Sequence, residues 1–250
     1  MIRGIEISKS AMLAQRSRMD VVANNLANTD TKGFKKDEVV VTNFKNVLLS
    51  EIGDTAIDNS QAKPVGNFSF GIHPEVVYTS YEQGSFEETG NQSDLAIQGS
   101  GFFELQTQQG LRYTRDGAFS VNKNGYLVNA DGYNIVGDKG PLLVGDQKFT
   151  IDVKGNVIIN GVIKNKVKVV EFTDNKDLEK EGDNLFASKS AGSVSTQSNI
   201  LQNYLENSNV EVSSEMTSMI EIQKSYEANQ RVLKMMDELV GKAVNDVGRV

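Results

Sequence analysis

At 250 residues the chain can hold one large domain or two smaller ones, and its 33 acidic against 26 basic side chains give a net charge of -7 that disfavours a nucleic-acid partner. With no Cys and a single His, it has no disulfide framework and cannot assemble the usual zinc ligand sets. No apolar run nears the roughly 18 residues of a membrane span, so membrane insertion is not expected.

Residues 5–28 read as a first helix. Ile5, Met12, Met19 and Leu26 recur every seven residues, and Val22 follows Met19 by three. Lys9, Arg16, Arg18 and Asp20 interrupt it, so it lacks the unbroken apolar centre of a cleaved secretory signal. Ala11, Ala14, Ala23 and Ala27 leave room for another helix to approach. The helix stops at Asn24-Asn25-Leu26-Ala27-Asn28, because Asn and Asp side chains compete for backbone hydrogen bonds. Gly33 can take the left-handed conformation that reverses the chain. Val39-Val40-Val41 reads as extended, Phe44 to Ile52 as a short helix, and residues 53–70 as an exposed connection. Residues 1–66 are thus an N-terminal helix and arm.

Near Gly71 the apolar period changes from helical to alternating. Asp116-Gly117, Asn124-Gly125, Asp131-Gly132 and Asn160-Gly161 are hairpin signals, since these residues tolerate positive φ. Residues 67–187 are read as one all-β, hairpin-rich barrel or sandwich. Within it, Gly99-Ser100-Gly101 lets one strand turn closely beneath another, with Phe102 and Phe103 on opposite faces. Val162 to Phe172 alternates with one slip, which a bulge would explain. Residues 188–208 read as a linker and short helix, on the Ser-rich run and the helical spacing of Ile200, Leu201, Tyr204 and Leu205.

Residues 209–250 carry the strongest pattern in the chain. Val212, Met219, Tyr226, Leu233, Val240 and Val247 lie seven apart, and Ile222, Met236 and Ala243 follow three of them by three. Ser208-Asn209 could cap this helix. A strict a/d seam is narrower than the apolar face of an ordinary core helix, so the two terminal helices are expected to pair as a coiled-coil-like unit. The expected fold class is α+β.

Catalytic chemistry finds little footing. His73 stands alone before Pro74 in an expected loop, and Glu87-Glu88 would point to opposite faces of a strand. No catalytic, cofactor or metal residue is assigned, and no enzyme activity is expected.

Four segments together resemble a known family. Asn24-Asn25-Leu26-Ala27-Asn28 with Thr31-Lys32-Gly33-Phe34-Lys35 is similar to the N-terminal signature of flagellar rod and hook proteins. Asp94 to Phe103, including Gly99, Gly101 and Phe102, resembles a second family segment. Tyr113-Thr114-Arg115-Asp116-Gly117-Ala118-Phe119 with Asn124 to Val128 resembles a third. Leu205-Glu206-Asn207-Ser208-Asn209-Val210, followed by Met219-Ile220, Gln223 and Tyr226 to Asn229, resembles the C-terminal signature. Room for only one β unit points to the proximal or distal rod type, not the hook.

The resemblance implies a non-enzymatic building block in the basal-body rod, without cofactors, joining the motor to the hook. It implies a helical polymer of itself, contacts with other rod and hook proteins, and passage through the flagellar type III export apparatus without cleavage. Assembly would use the seams Ile5, Met12, Met19, Val22 and Leu26 with Val212, Met219, Ile222, Tyr226, Leu233, Met236, Val240 and Val247. The alternative from the residues is a soluble β-domain binding module that dimerises through its terminal helices. Heptads alone do not separate a head-to-tail contact from a two-fold one.

Overall fold

The computed structural model describes residues 2–43, 47–51, 63–68, 72–145, 147–174, 177–182, 184–188, 192–195 and 198–247. The chain divides into two units. The first comprises Met1–Leu26, Asp37–Thr79 and Val212–Val250; the second comprises Ala27–Lys36 and Ser80–Glu211.

In the first unit, helix α1 spans Ile2–Ala27, its last residue passing into the second unit, and helix α2 spans Val212–Val247. At 36 residues α2 is about 54 Å long. No described helix is long and apolar enough to cross a membrane. Asn25 Nδ2 donates to Glu215 Oε2 at 3.5 Å, and a Cβ placed on Gly4 would lie 2.6 Å from Met236 Cε. The intervals match (4 to 25, 215 to 236), so the two helices run antiparallel at these contacts.

The half-buried side of α2 follows its heptads. Met219, Tyr226, Asn229, Leu233, Met236 and Val240 are half-buried and Ile222 is buried, whereas Met216, Ile220, Val232, Met235, Leu239 and Val244 are exposed.

The strand Asp37–Asn43 pairs with Ile72–Thr79, which holds the extended run Val39 to Val41. His73 lies here, opposite Thr42, and not in a loop. The expected helix at 44–52 is replaced, where described, by the strand Val47–Glu51, paired with Lys63–Phe68. That pairing also places residues 63–68 of the expected connection in a strand; residues 53–62 lie outside the described residues. A nine-residue window carries too few hydrogen bonds to offset helix nucleation, while in the strand the backbone of Val47, Leu48 and Leu49 pairs with that of Phe68, Asn67 and Gly66. Both hairpins bulge beside a proline, Pro74 in one and Pro64 in the other. Proline has no N–H for the ladder, and a bulge is where that loss is tolerated.

In the second unit a ten-stranded sheet runs from an edge at Leu178–Lys180 through Phe186–Ser188, Gly110–Thr114, Phe102–Thr107 and Asn134–Gly137 to Leu127–Val128 and Ser120–Val121. A three-stranded sheet holds Phe149–Ile151, Asn156–Ile159 and Val162–Lys166. Its last two strands pair Val157 with Asn165 and Ile158 with Ile163, leaving Lys164 as an extra residue. This bulge accounts for the slip in the alternation of Val162 to Phe172. Phe103 joins the apolar cluster of Leu95, Leu105, Leu127 and Ile135, while Phe102 joins that of Tyr113, Phe172 and Phe186. The two phenylalanines therefore serve opposite faces.

Where described, the expected linker and short helix at 188–208 give way to strands. Asn199–Gln202 pairs with Leu95–Gln98, and Tyr204–Glu206 pairs with Phe86–Glu88. Asn203 between them has φ +69°, a conformation that no right-handed helix contains. Ile200 and Leu205, whose spacing suits a helix equally well, are buried from the two strands instead.

Candidate functional site

The second unit is closed by the segment that follows α1. Thr31 N–H donates to Asn28 O at 3.3 Å and Thr31 Oγ1 donates to Asn28 Oδ1 at 3.2 Å, which sets the turn. Gly33 follows with φ +68°, and its N–H donates to Glu206 O at 2.7 Å. A Cβ there would lie 2.4 Å from the carbonyl of Arg115, so conformation and space both require glycine. Phe34 is buried, with Lys180 Nζ 4.3 Å from its ring centroid.

Lys35 is fully buried. Its Nζ donates to Glu206 Oε1 and to Glu82 O, both at 2.6 Å. From the other side Arg115 Nη1 donates to Glu206 Oε2 at 3.0 Å, and Arg115 Nη2 to Gly99 O at 2.8 Å. The same guanidinium lies 5.3 Å from the Phe102 ring centroid. Gly84 N–H adds a third donor to the Glu206 carboxylate at 3.0 Å. Two cations thus share one anion, and the carbonyls of Glu82 and Gly99 each take one further donor, while the buried Arg115 Nε has no hydrogen-bond partner among the described residues. Burial pulls the Lys35 ammonium below its ordinary range; Glu206 opposes that shift and Arg115 adds to it. Such a cluster has no free nucleophile or base. It holds three distant pieces of chain in one arrangement.

Asn209 binds the segments that lead out of this unit. Its Oδ1 accepts from Lys36 N–H at 2.8 Å, and its Nδ2 donates to Ser80 O at 3.0 Å and Glu82 O at 3.2 Å. Ser80 N–H donates to Lys36 O at 2.9 Å. The side chain is therefore spent on these segments and does not cap α2, which begins at Val212; Ser208 Oγ accepts from Val210 N–H. In the first unit Asn25 makes an analogous pair with Asp37, Oδ1 accepting from its N–H at 2.9 Å and Nδ2 donating to its O at 2.8 Å. Asn24 is exposed on α1.

The remaining motif residues fix the turn after Arg115. Gly117 approaches Leu95 so closely that a Cβ would fall 1.6 Å from Leu95 O. Gly101 lies against Val169. Asp116 Oδ1 accepts from Ala118 N–H at 2.9 Å. Burial raises the Asp116 carboxyl above its ordinary range, helped by Asp131 and Asp94. A raised folded-state value favours the protonated form, so its contribution is full at low pH and fades as pH rises through that range. Asp116→Asn retains the acceptor without the charge. The variant is expected to gain stability relative to the native chain as pH rises above about 4, measured by thermal unfolding at pH 3 to 7.

Among the seam residues, Ile5, Met12, Met19, Val22 and Leu26 are half-buried on α1. Val212, at the first turn of α2, is exposed and stands apart from the covered line; the side chain of Val247 lies outside the described residues. Lys35, Arg115 and Glu206 were not singled out from the sequence. Each stands inside one of the family-like motifs, Lys35 near Lys32 and Arg115 beside Asp116, so charge alone does not mark them.

Comparison with known proteins matches three stretches of the chain. Residues 5–35 match the model described as flagella basal body rod protein, and residues 96–162 the flagellar hook protein FlgE/F/G D1 domain. Residues 201–246 match the flagellar basal body rod FlgEFG protein C-terminal model. Lys35, Arg115 and Glu206 come one from each. The chain is 33% identical to the flagellar basal-body rod protein FlgF of Caulobacter vibrioides over 264 residues, covering all of both chains. It is 30% identical to FlgG of Bacillus subtilis, with 98% of this chain and 99% of that one aligned. It is 28% identical to the flagellar hook-basal body complex protein FlhO of the same organism, over the whole of both chains. With its full length aligned to such a protein and its three matched stretches meeting at one buried charge cluster, the chain belongs to the flagellar basal-body rod protein family.

Proposed function

We infer that this chain is a structural subunit of the rod that polymerises helically through α1 and α2. The observation that carries this reading is the incomplete burial of α2. One heptad line is covered within the unit, while Val232, Met235 and Leu239, 36%, 56% and 57% exposed, remain open to further helices. A helix with apolar residues on more than one face is suited to a bundle of several subunits. The partners are further copies and other rod and hook proteins. Delivery would use the flagellar export apparatus, and the chain would act in the drive shaft without catalysing a reaction.

Deleting residues 2–26 tests this directly. The deletion removes α1 but leaves residues 27–36 to close the β unit. The expected result is a folded β unit by circular dichroism and no incorporation into basal bodies isolated from cells. Normal incorporation would remove α1 from the assembly surface.

A further inference from the structure

A shallow groove of about 580 Å³ in the second unit is lined by Pro141, Leu143, Val144, Ile159 and Lys164 among others. Leu143 is 54% exposed, and Val162, the cross-strand partner of Ile159, is 56% exposed. Lone exposed apolar residues are ordinary, but a cluster around a concave surface marks a docking site. In sequence, residues 138–168 contain six Lys and three Asp, a local excess of positive charge in a chain of net charge -7; of these Lys, Lys164 lines the groove and Lys168 is paired with Glu104. Lys139 and Lys164 are exposed there, and Lys139 Nζ donates to Lys164 O at 3.1 Å.

The opposite charge collects at the far edge of the same unit. The described residues among 171–182 contain five acidic residues and one Lys. They include the edge strand Leu178–Lys180, four strand steps from Asn134–Gly137, whose following turn borders the groove. At about 4.8 Å per step the two flanks are roughly 19 Å apart. Leu111, 47% exposed, offers an apolar anchor beside this edge, since its neighbour Arg112 donates through Nε to Glu181 at 2.5 Å.

We propose that the acidic edge at 171–174 and 177–182 of one copy docks on the lysine-rimmed groove of the next copy. The proposal rests on the reading that the chain polymerises. A two-fold contact centred on the groove would place like charge on like. Groove on edge joins two different surfaces; made head to tail, it does not close unless the rotation returns on itself, and so suits a helical array. The contact selects the neighbour and its register, while the helices supply the larger apolar burial.

The test uses full-length chains in cells lacking the native gene. One variant carries Lys139→Glu and Lys164→Glu, the other Asp174→Lys and Glu179→Lys. All four sites are exposed, so melting temperatures should stay within about 2 °C of the native chain. At the substituted positions each variant alone sets like charges against each other, and its incorporation into isolated basal bodies is expected to fall about tenfold. Co-expression of the two lets the flanks alternate in sign and should restore incorporation to within about twofold of native. Native incorporation of either variant alone would overturn the proposal, as would a co-expressed pair no better than its members. Leu233→Asp runs beside them: its normal incorporation would overturn the helix seam instead, whatever the charge variants do.

Discussion

Glu206→Ala is expected to destabilise the β unit by about 3–5 kcal/mol, the cost of leaving buried cations without their anion. Lys35 and Glu206 side chains are 0% exposed and that of Arg115 is 4% exposed, so water cannot replace the lost carboxylate. The loss reaches the backbone too, because Gly84 N–H also donates to Glu206. Urea unfolding followed by circular dichroism would read the shift in midpoint. The triple change Lys35→Met, Arg115→Met and Glu206→Leu removes both signs of charge together and is expected to recover most of the stability, since well-packed apolar replacements of buried ion groups are often neutral or better. If Glu206→Ala unfolds at the native midpoint, the cluster does not hold the unit closed.

Leu233→Asp is expected to leave the monomer folded and to abolish rod assembly and motility, and Met12→Asp should do the same from the other helix. Both side chains are only half-buried in the single chain, so a carboxylate there can still reach water. In a polymer that covers the seam it cannot. Full burial of one leucine is worth about 1.5–3 kcal/mol, and an unpaired carboxylate in its place costs more than that gain. The penalty recurs in every subunit. Motility counts and basal-body composition would read it, and native motility with either change would remove the seam from the assembly mechanism.

The parts of this molecule that could be read from sequence are those governed by local period. The heptads of α2 repeat along one continuous helix, and its covered positions from Met219 to Val240 follow that series without a break. Phe102 and Phe103 face opposite ways because strand geometry alone requires it. What sequence did not give was long-range pairing. Four apolar residues between Ile200 and Leu205 fit a helical turn or two short strands, and only the partner strands at Leu95–Gln98 and Phe86–Glu88 decide. A β unit bounded at residues 67 and 187 would lack Lys35, Ile200, Leu205 and Glu206, all buried in it. The charge cluster was hidden for the same reason: its members are ordinary charges until the chain brings them together.

The distance along the chain between Lys35 and Glu206, 171 residues, also sets a clock. At a synthesis rate of about 5–20 residues per second, roughly 10–30 s pass between the emergence of one partner and the other. Until then Arg115 has no anion, Asn199–Gln202 and Tyr204–Glu206 have not reached their strands, and the β unit stays open. A chain built on such distant contacts folds slowly after release, because loop closure must precede the contacts that reward it. The last strand to arrive is therefore also the one that permits closure, and a nascent or freshly released copy remains a thread for longer than a locally folded protein would.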